Sequence, residues 1–105
     1  MSGLVRLCAV DDLGSGEARR FDVEGHTIAL VRIGDDFYAI GDRCSHADFS
    51  LSDGEVIASD REIECWKHGS TFSLVDGEPQ SLPATKPVPV YAVTVNGSDV
   101  TVDLP

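Results

Sequence analysis

Two short pairs of metal-binding side chains constrain this chain more than any other feature. Cys44 and His46 form a C-x-H pair, Cys65 and His68 form a C-x-x-H pair, and 18 residues lie between the pairs. Close spacing within a pair lets one tight loop aim two ligands at a common point, so two such loops supply four ligands. The sequence therefore predicts one metal centre held by Cys44, His46, Cys65 and His68.

The remaining cysteine and histidine provide a contrast with these pairs. The chain has three cysteines and three histidines, so two mixed pairs in one segment are hard to attribute to chance. Taken singly, a cysteine is usually a small buried apolar residue and a histidine an ordinary polar one. We expect Cys8, which lies in an apolar run, to pack in the core, and His26, which follows Gly25, to be exposed. An odd cysteine count also fits poorly with a disulfide framework.

Short runs of β-branched and aromatic residues recur along the chain, separated by Gly-Asp, Asp-Gly and Asn-Gly signals, and helical periodicity is hard to find. Gly34-Asp35 and Asn96-Gly97-Ser98 each predict a hairpin, because Gly and Asn supply the positive φ angles of tight turns. The sequence therefore predicts an all-β fold with strands at Leu4–Val10, Arg19–Val23, His26–Ile33, Asp36–Ile40, Val88–Val95 and Asp99–Leu104.

A chain of 105 residues is expected to form a single domain, residues 1–105. Between about residues 43 and 87 the strand pattern gives way to short pieces broken by Ser, Asp, Gly and Pro. We predict a base formed by residues 1–42 and 88–105, with residues 43–87 inserted as loops and short strands. Gly54 and Gly69 suit loops whose backbone must turn sharply and approach a bound group closely.

The charge of the chain restricts its partners. Eight Lys and Arg stand against 18 Asp and Glu, a formal charge of −10, so no nucleic-acid partner is expected, because phosphate binding needs concentrated positive charge. No apolar stretch approaches the roughly 20 residues of a membrane-spanning helix, so no membrane association is expected. The N-terminus lacks the basic-then-apolar order of a signal peptide. We expect a cytoplasmic protein.

Ligand chemistry narrows the kind of metal centre. Two Cys and two His ligands also bind zinc tetrahedrally. Zinc fingers, however, usually group Cys with Cys and His with His, whereas each pair here is mixed. The mixed pairs favour a [2Fe-2S] cluster.

Residues 41–87 resemble the cluster-binding part of Rieske proteins. The C-x-H pair followed by the C-x-x-H pair is that family's signature, although the 18-residue spacer is slightly long for it. Leu51-Ser52-Asp53-Gly54 and Leu82-Pro83-Ala84 resemble further stretches of ferredoxins of this family. The resemblance implies a Rieske-type antiparallel β-sandwich base that carries an inserted cluster-binding subdomain, with one [2Fe-2S] cluster per chain.

The resemblance also implies a role for each ligand. Cys44 and Cys65 would hold one iron as thiolates, and His46 and His68 would hold the other through ring nitrogens. Histidine ligation raises the reduction potential relative to an all-cysteine cluster, so the histidine-bound iron should take the electron. In the family the histidine edges reach the surface, which implies an exit path for electrons at His46 and His68.

Departures from the respiratory Rieske proteins indicate which branch this chain resembles. Those proteins tie their cluster loops with a disulfide, whereas Phe49 and Lys67 occupy the two positions here, so the resemblance is to soluble Rieske ferredoxins. Without that disulfide, the cluster loops of this chain are expected to rely on packing, with residues 82–89 as their cover. Ser70 matches a serine that, in the respiratory proteins, donates a hydrogen bond to a bridging sulfide. Phe72 stands where those proteins have a tyrosine. We predict a potential in the lower half of the range of about −150 to +300 mV.

The resemblance implies a one-electron carrier, not an enzyme, that passes electrons from a flavin-dependent reductase to a terminal oxygenase and acts as a monomer. A nitrite reductase small subunit or an iron-sulfur assembly ferredoxin is the alternative with the same cluster, and a zinc-stabilised binding module is a third. The chain contains no Ser/His/Asp or phosphate-binding pattern. Asp48, Asp53 and Glu55 are expected to meet Lys or Arg of a partner.

Overall fold

The computed structural model describes residues 3–43, 50–66, 69–80 and 86–104. Within these ranges the regular structure consists of strands and three single turns of 3-10 helix, at Val10–Asp12, Leu51–Asp53 and Ala58–Asp60. The predicted all-β fold is confirmed. The described strands are β1 Gly3–Ala9, β2 Ala18–Val23, β3 His26–Ile33, β4 Asp36–Gly41, β5 Glu55–Ile57, β6 Glu62–Glu64, β7 Thr71–Ser73, β8 Val90–Asn96 and β9 Asp99–Leu104.

The larger sheet has six strands in the order β1-β9-β8-β4-β3-β2, and every neighbouring pair is antiparallel. These are the six strands predicted from the sequence. The largest difference is that β8 begins at Val90 instead of Val88, since Pro89 has no N–H to donate to a strand partner. The carbonyl of Pro89 still accepts a hydrogen bond of 2.8 Å from the N–H of Gly41.

The turns of the larger sheet follow the expected chemistry. Gly34 and Gly97 have φ angles of 61° and 65°, which confirms the two predicted hairpins. A third hairpin, between β2 and β3, was not predicted. It uses Glu24 and Gly25, at φ angles of 48° and 82°, and the glutamate adopts a left-handed conformation that few residues other than Gly, Asn and Asp favour.

The smaller sheet, in the order β5-β6-β7, brings together three strands of three residues each. Val56 lies opposite Ile63, and Ile63 lies opposite Phe72, so one face of this sheet is apolar. The other face carries Glu55, opposite Glu64. The sequence analysis did not locate these strands, because three residues are too few to establish an alternating pattern.

Strand β3 separates two hydrophobic cores. Ile28 and Leu30 point into a core within the curled larger sheet, whereas Ala29 and Val31 point to the opposite side, as the alternation of side chains along a strand requires. That opposite side packs against the smaller sheet. The smaller sheet is therefore stacked on β3 and β4. The predicted division of the chain at about residues 43 and 87 stays a prediction.

Arg61 links the smaller sheet to the start of β4. Its guanidinium carbon lies 5.6 Å from the centre of the Tyr38 ring, and its Nη2 lies 3.4 Å from Oδ2 of Asp36. The carbonyl of Arg61 also accepts a hydrogen bond of 2.8 Å from the N–H of Leu74. A cation above an aromatic face is attracted to it, so Arg61 helps to fix the orientation of the two sheets.

The structure confirms the predicted environment of Cys8 but not that of His26. Cys8 is buried in the core of the larger sheet, as predicted, and burial raises the pKa of its thiol. The expectation that His26 is exposed was wrong. His26 is partly buried because Tyr91 of β8 reaches it, with ring centroids 5.8 Å apart and 3.3 Å between the tyrosine hydroxyl and Nδ1. No helix in the described ranges is long and apolar enough to cross a bilayer.

Candidate metal centre

Of the four predicted ligands, Cys65 lies within the described residues. It follows β6 directly and its side chain is fully buried. Cys44, His46 and His68 lie outside the described residues, as do Phe49 and Lys67, the residues predicted to stand at the disulfide positions of the respiratory proteins. The four-ligand set therefore stays a prediction. We call residues 43–50 the first ligand loop and residues 65–70 the second, and the structure describes both ends of each.

The second ligand loop is closed by hydrogen bonds between its ends. The N–H of Cys65 donates to the carbonyl of Ser70 at 2.7 Å, and the N–H of Gly69 donates to the carbonyl of Cys65 at 2.9 Å. Gly69 has a φ angle of 74°, which glycine adopts without a steric penalty. Trp66, the residue after Cys65, is 51% exposed. The loop therefore leads from a buried thiol to the surface within one residue.

The first ligand loop also begins and ends at neighbouring points. Arg43 and Ser50 form an antiparallel bridge, and the N–H of Leu51 donates to the carbonyl of Asp42 at 2.5 Å. The residues on either side of 44–49 are thus held together at the end of β4. A loop with both ends fixed can hold two ligands two positions apart with little loss of entropy on binding.

A close backbone contact joins the two loops. A Cβ atom on Gly54 would lie 1.7 Å from the carbonyl oxygen of Glu64, so only glycine fits there. The next residue, Glu55, pairs with Glu64 in the smaller sheet. The chain that leaves the first loop therefore pairs with the strand that enters the second. Two loops anchored side by side, whose sequences contain two cysteines and two histidines, fit the ligand set of a Rieske cluster.

Ser70 and Phe72, the predicted tuning residues, are both fully buried. Phe72 belongs to the same apolar cluster as Cys65. The role of either residue in tuning a cluster stays a prediction. Part of the predicted cover, residues 86–89, lies within the described ranges, where the N–H of Val88 donates to the carbonyl of Gly77 at 2.9 Å. Residues 81–85 lie outside them.

Asp42 is a residue of the site that the sequence analysis missed. It is 1% exposed, and its carboxylate accepts hydrogen bonds from the hydroxyl of Ser50 and, at 2.8 Å, from the N–H of Ser52. An acidic residue in a polar segment usually faces water, so its sequence context gave no reason to expect burial. The one feature of the sequence that could have indicated its burial is the pair Ser50 and Ser52, which lies at and just after the end of the loop and supplies the hydrogen-bond donors.

Negative charge surrounds the junction of the two loops. Asp53 and Glu55 are exposed, and Glu55 and Glu64 are direct cross-strand neighbours on the outer face of the smaller sheet. Like charges in this relation repel each other. No ion pair to either glutamate is seen within the described ranges. Asp48 lies outside these ranges.

Comparisons with known proteins agree with this geometry. A family profile, the Rieske [2Fe-2S] domain, matches residues 3–92. The 3-phenylpropionate/cinnamic acid dioxygenase ferredoxin subunit of Shigella boydii serotype 4 (strain Sb227) is 46% identical over 101 residues, which cover 96% of this chain and 93% of the relative.

Two solved structures are similar over nearly the whole chain. The ferredoxin of carbazole 1,9a-dioxygenase from Nocardioides aromaticivorans IC177 has a TM-score of 0.92 and 40% identity, covering 94% of this chain and 95% of that one. A complex of reduced oxygenase and oxidized ferredoxin in carbazole 1,9a-dioxygenase contains a chain with a TM-score of 0.88 and 39% identity, with coverages of 94% and 91%.

The contact between Gly54 and Glu64 generates a prediction. We expect Gly54→Ala to force the two loops apart, to lower the free energy of unfolding by about 1 to 3 kcal/mol, and to reduce the metal retained after gel filtration. Gly3→Ala is the matched control, because Gly3 lies in a strand with nothing within 4 Å of an added Cβ. Thermal unfolding and metal analysis of both variants provide the measurement. Equal metal content in the two variants would contradict the inferred junction.

Proposed function

This chain belongs to the Rieske [2Fe-2S] domain family, and from that membership we propose that it delivers single electrons to the terminal oxygenase of a ring-hydroxylating dioxygenase system. Family membership rests on the match over residues 3–92. The chain binds one [2Fe-2S] cluster and is an electron carrier, not an enzyme. The observation that supports the site most directly is the anchoring of two ligand loops at adjacent strand ends, with Cys65 buried at one of them.

We propose that Cys44 and Cys65 hold one iron as thiolates and that His46 and His68 hold the other. The bound cluster supplies one-electron chemistry at a potential above that of all-cysteine clusters. The protein contributes orientation and exclusion of water. Cys65 is held by the hydrogen bonds that close its loop, and the apolar cluster of Ile63, Phe72 and Val88 keeps water away from the inner side.

The partner surface is proposed to be the rim of the smaller sheet beside the second loop. Glu55 and Glu64 repel each other there and lack an ion-pair partner among the described residues. Basic side chains of an oxygenase would relieve that repulsion and steer the encounter. The half-exposed indole of Trp66 lies next to Cys65, and aromatic side chains are enriched at interface centres.

Three further parts of the proposal concern the setting of the reaction. A flavin-dependent reductase supplies the electron. The carrier acts as a monomer in the cytoplasm, where a reducing environment keeps free thiols available for cluster assembly. A nitrite reductase small subunit or an iron-sulfur assembly ferredoxin would carry the same cluster, and stable co-purification with a large subunit would favour the former.

The ligand set can be tested against matched residues of the same type. The dithionite-reduced protein is expected to give a rhombic EPR signal with an average g value below that of all-cysteine clusters, with two irons per chain. Cys44→Ala, Cys65→Ala, His46→Ala and His68→Ala should each abolish it. Cys8→Ala and His26→Asn are the controls and should keep both the signal and the iron. An EPR-silent protein that contains zinc would establish the binding-module alternative.

The proposed tuning residue Ser70 gives a second test. A hydroxyl hydrogen bond that strengthens by about 1 kcal/mol on reduction raises a one-electron potential by about 40 mV, so Ser70→Ala is expected to lower the potential by that amount. Ser73→Ala is the control, since Ser73 lies at the other end of β7 and accepts a hydrogen bond from the N–H of Val75. Potentiometric titration followed by EPR measures both variants. A lower potential in both would mean that Ser70 has no special role.

The docking surface can be tested with the oxygenase component of a 3-phenylpropionate/cinnamic acid dioxygenase, the system of the 46% identical relative. We expect the combined variant Glu55→Lys and Glu64→Lys to slow oxidation of the reduced carrier roughly tenfold at low salt. The difference should shrink as salt screens the charges.

Asp35→Lys is the control for this test, because Asp35 lies fully exposed in the turn between β3 and β4. Stopped-flow absorbance gives the rates. A wild-type rate that stays flat as ionic strength rises would contradict the electrostatic part of the proposal, and no oxidation by the oxygenase would contradict the proposed acceptor.

A further inference from the structure

The carboxylate of Asp42 is buried at the base of the first ligand loop, and its partners come from the far side of that loop. Oδ1 accepts a hydrogen bond from the N–H of Ser52 at 2.8 Å, and Oδ2 accepts one from the hydroxyl of Ser50. The hydroxyls of the two serines lie 2.8 Å apart. The chain leaves Asp42 for the loop and meets its carboxylate again on return.

A buried carboxylate is unfavourable unless it is hydrogen-bonded or paired. Asp42 is 1% exposed, and Arg20, whose Nε lies 3.8 Å from Oδ2, is its one ion-pair partner within the described ranges. That guanidinium is half exposed and also contacts Asp22, at 3.2 Å. Most of the stabilisation must therefore come from the serines, and opening the loop would leave a buried charge without its donors.

We propose that Asp42 is a positioning residue for the cluster: its carboxylate ties Ser50 and Ser52, which lie at and just after the end of the first ligand loop, to the end of β4, and its charge opposes reduction. The proposal rests on the assignment of Cys44 and His46, which that loop carries, as ligands. Partners of metal ligands that lie outside the ligand set commonly fix ligand orientation. A negative charge shielded from water is screened less by salt than a surface charge, so it acts on the potential more strongly.

Three substitutions separate the clamp from the charge. Asp42→Asn removes the charge and keeps an acceptor for the N–H of Ser52. Asp42→Ala removes both. Ser50→Ala removes one donor and keeps the charge. Asp22→Asn is the control, because it removes an exposed carboxylate that contacts the same arginine.

We expect the reduced Asp42→Ala protein to release iron to a chelator roughly tenfold faster than wild type and to give a broadened EPR signal. Asp42→Asn should keep an EPR line shape close to that of wild type and show a raised potential, whereas Asp22→Asn should match wild type in both. Ser50→Ala should release iron faster than wild type with a potential close to it.

The proposal is overturned if Asp42→Ala matches wild type in iron release and line shape, or if Asp42→Asn and Asp22→Asn have the same potential. If Asp42→Ala fails to fold, Ser50→Ala decides the question: iron release from this variant at the same rate as from wild type overturns the clamp. A wild-type protein without a Rieske signal would instead contradict the cluster assignment. In that case, hydrogen exchange at the amides of Leu51 and Ser52 tests the clamp, which predicts faster exchange in Asp42→Ala than in Asp22→Asn.

Discussion

The approach of the Gly54 backbone to the carbonyl of Glu64 is the contact on which the metal centre depends. Because nothing larger than a hydrogen fits at Gly54, the segment that leaves one ligand loop can pair directly with the strand that enters the other. The two Cys/His pairs proposed as ligands are separated by 18 residues in sequence, and this pairing brings the ends of their loops together. The smaller sheet has three-residue strands, too short to be stable alone. Its stability comes from packing of Ile63 and Phe72 against Ala29 and Val31.

Two kinds of closure act on the first loop, and they differ in physical origin. The bridge between Arg43 and Ser50 is ordinary backbone pairing of the kind that any hairpin uses. The carboxylate of Asp42 adds hydrogen bonds from Ser50 and Ser52. These bonds replace the water that burial removes from the carboxylate, so they are needed as long as it stays buried. A typical neutral hydrogen bond contributes about 1 kcal/mol, and one to a charged group about 1.5 to 3 kcal/mol. The two hydrogen bonds of the proposed clamp, both to a carboxylate, would therefore each stabilise the anchored loop more than a backbone hydrogen bond does.

Periodicity and turn chemistry predicted the larger sheet from sequence, because strands such as β3 are long enough to show them. The paired Cys and His residues predicted the nature of the metal centre. Three-residue strands gave no period, and the left-handed Glu24 gave no turn signal. Burial of His26 and Asp42 depends on partners distant in sequence: Tyr91 lies 65 residues from His26, and Ser50 and Ser52 lie across a loop from Asp42. Such contacts arise from the fold, so local sequence could not predict them.

Negative charge near the cluster serves two proposed purposes that differ in their sensitivity to salt. A unit charge 10 Å away across water contributes only about 0.4 kcal/mol to the energy of adding an electron, and counterions reduce it further. Surface carboxylates such as Glu55 therefore affect the encounter with a basic partner more than the potential. A buried carboxylate such as Asp42 contributes little to the encounter, yet it acts through a medium of lower dielectric constant. Docking and redox potential can thus be adjusted separately, although both depend on carboxylates that flank the same ligand loops.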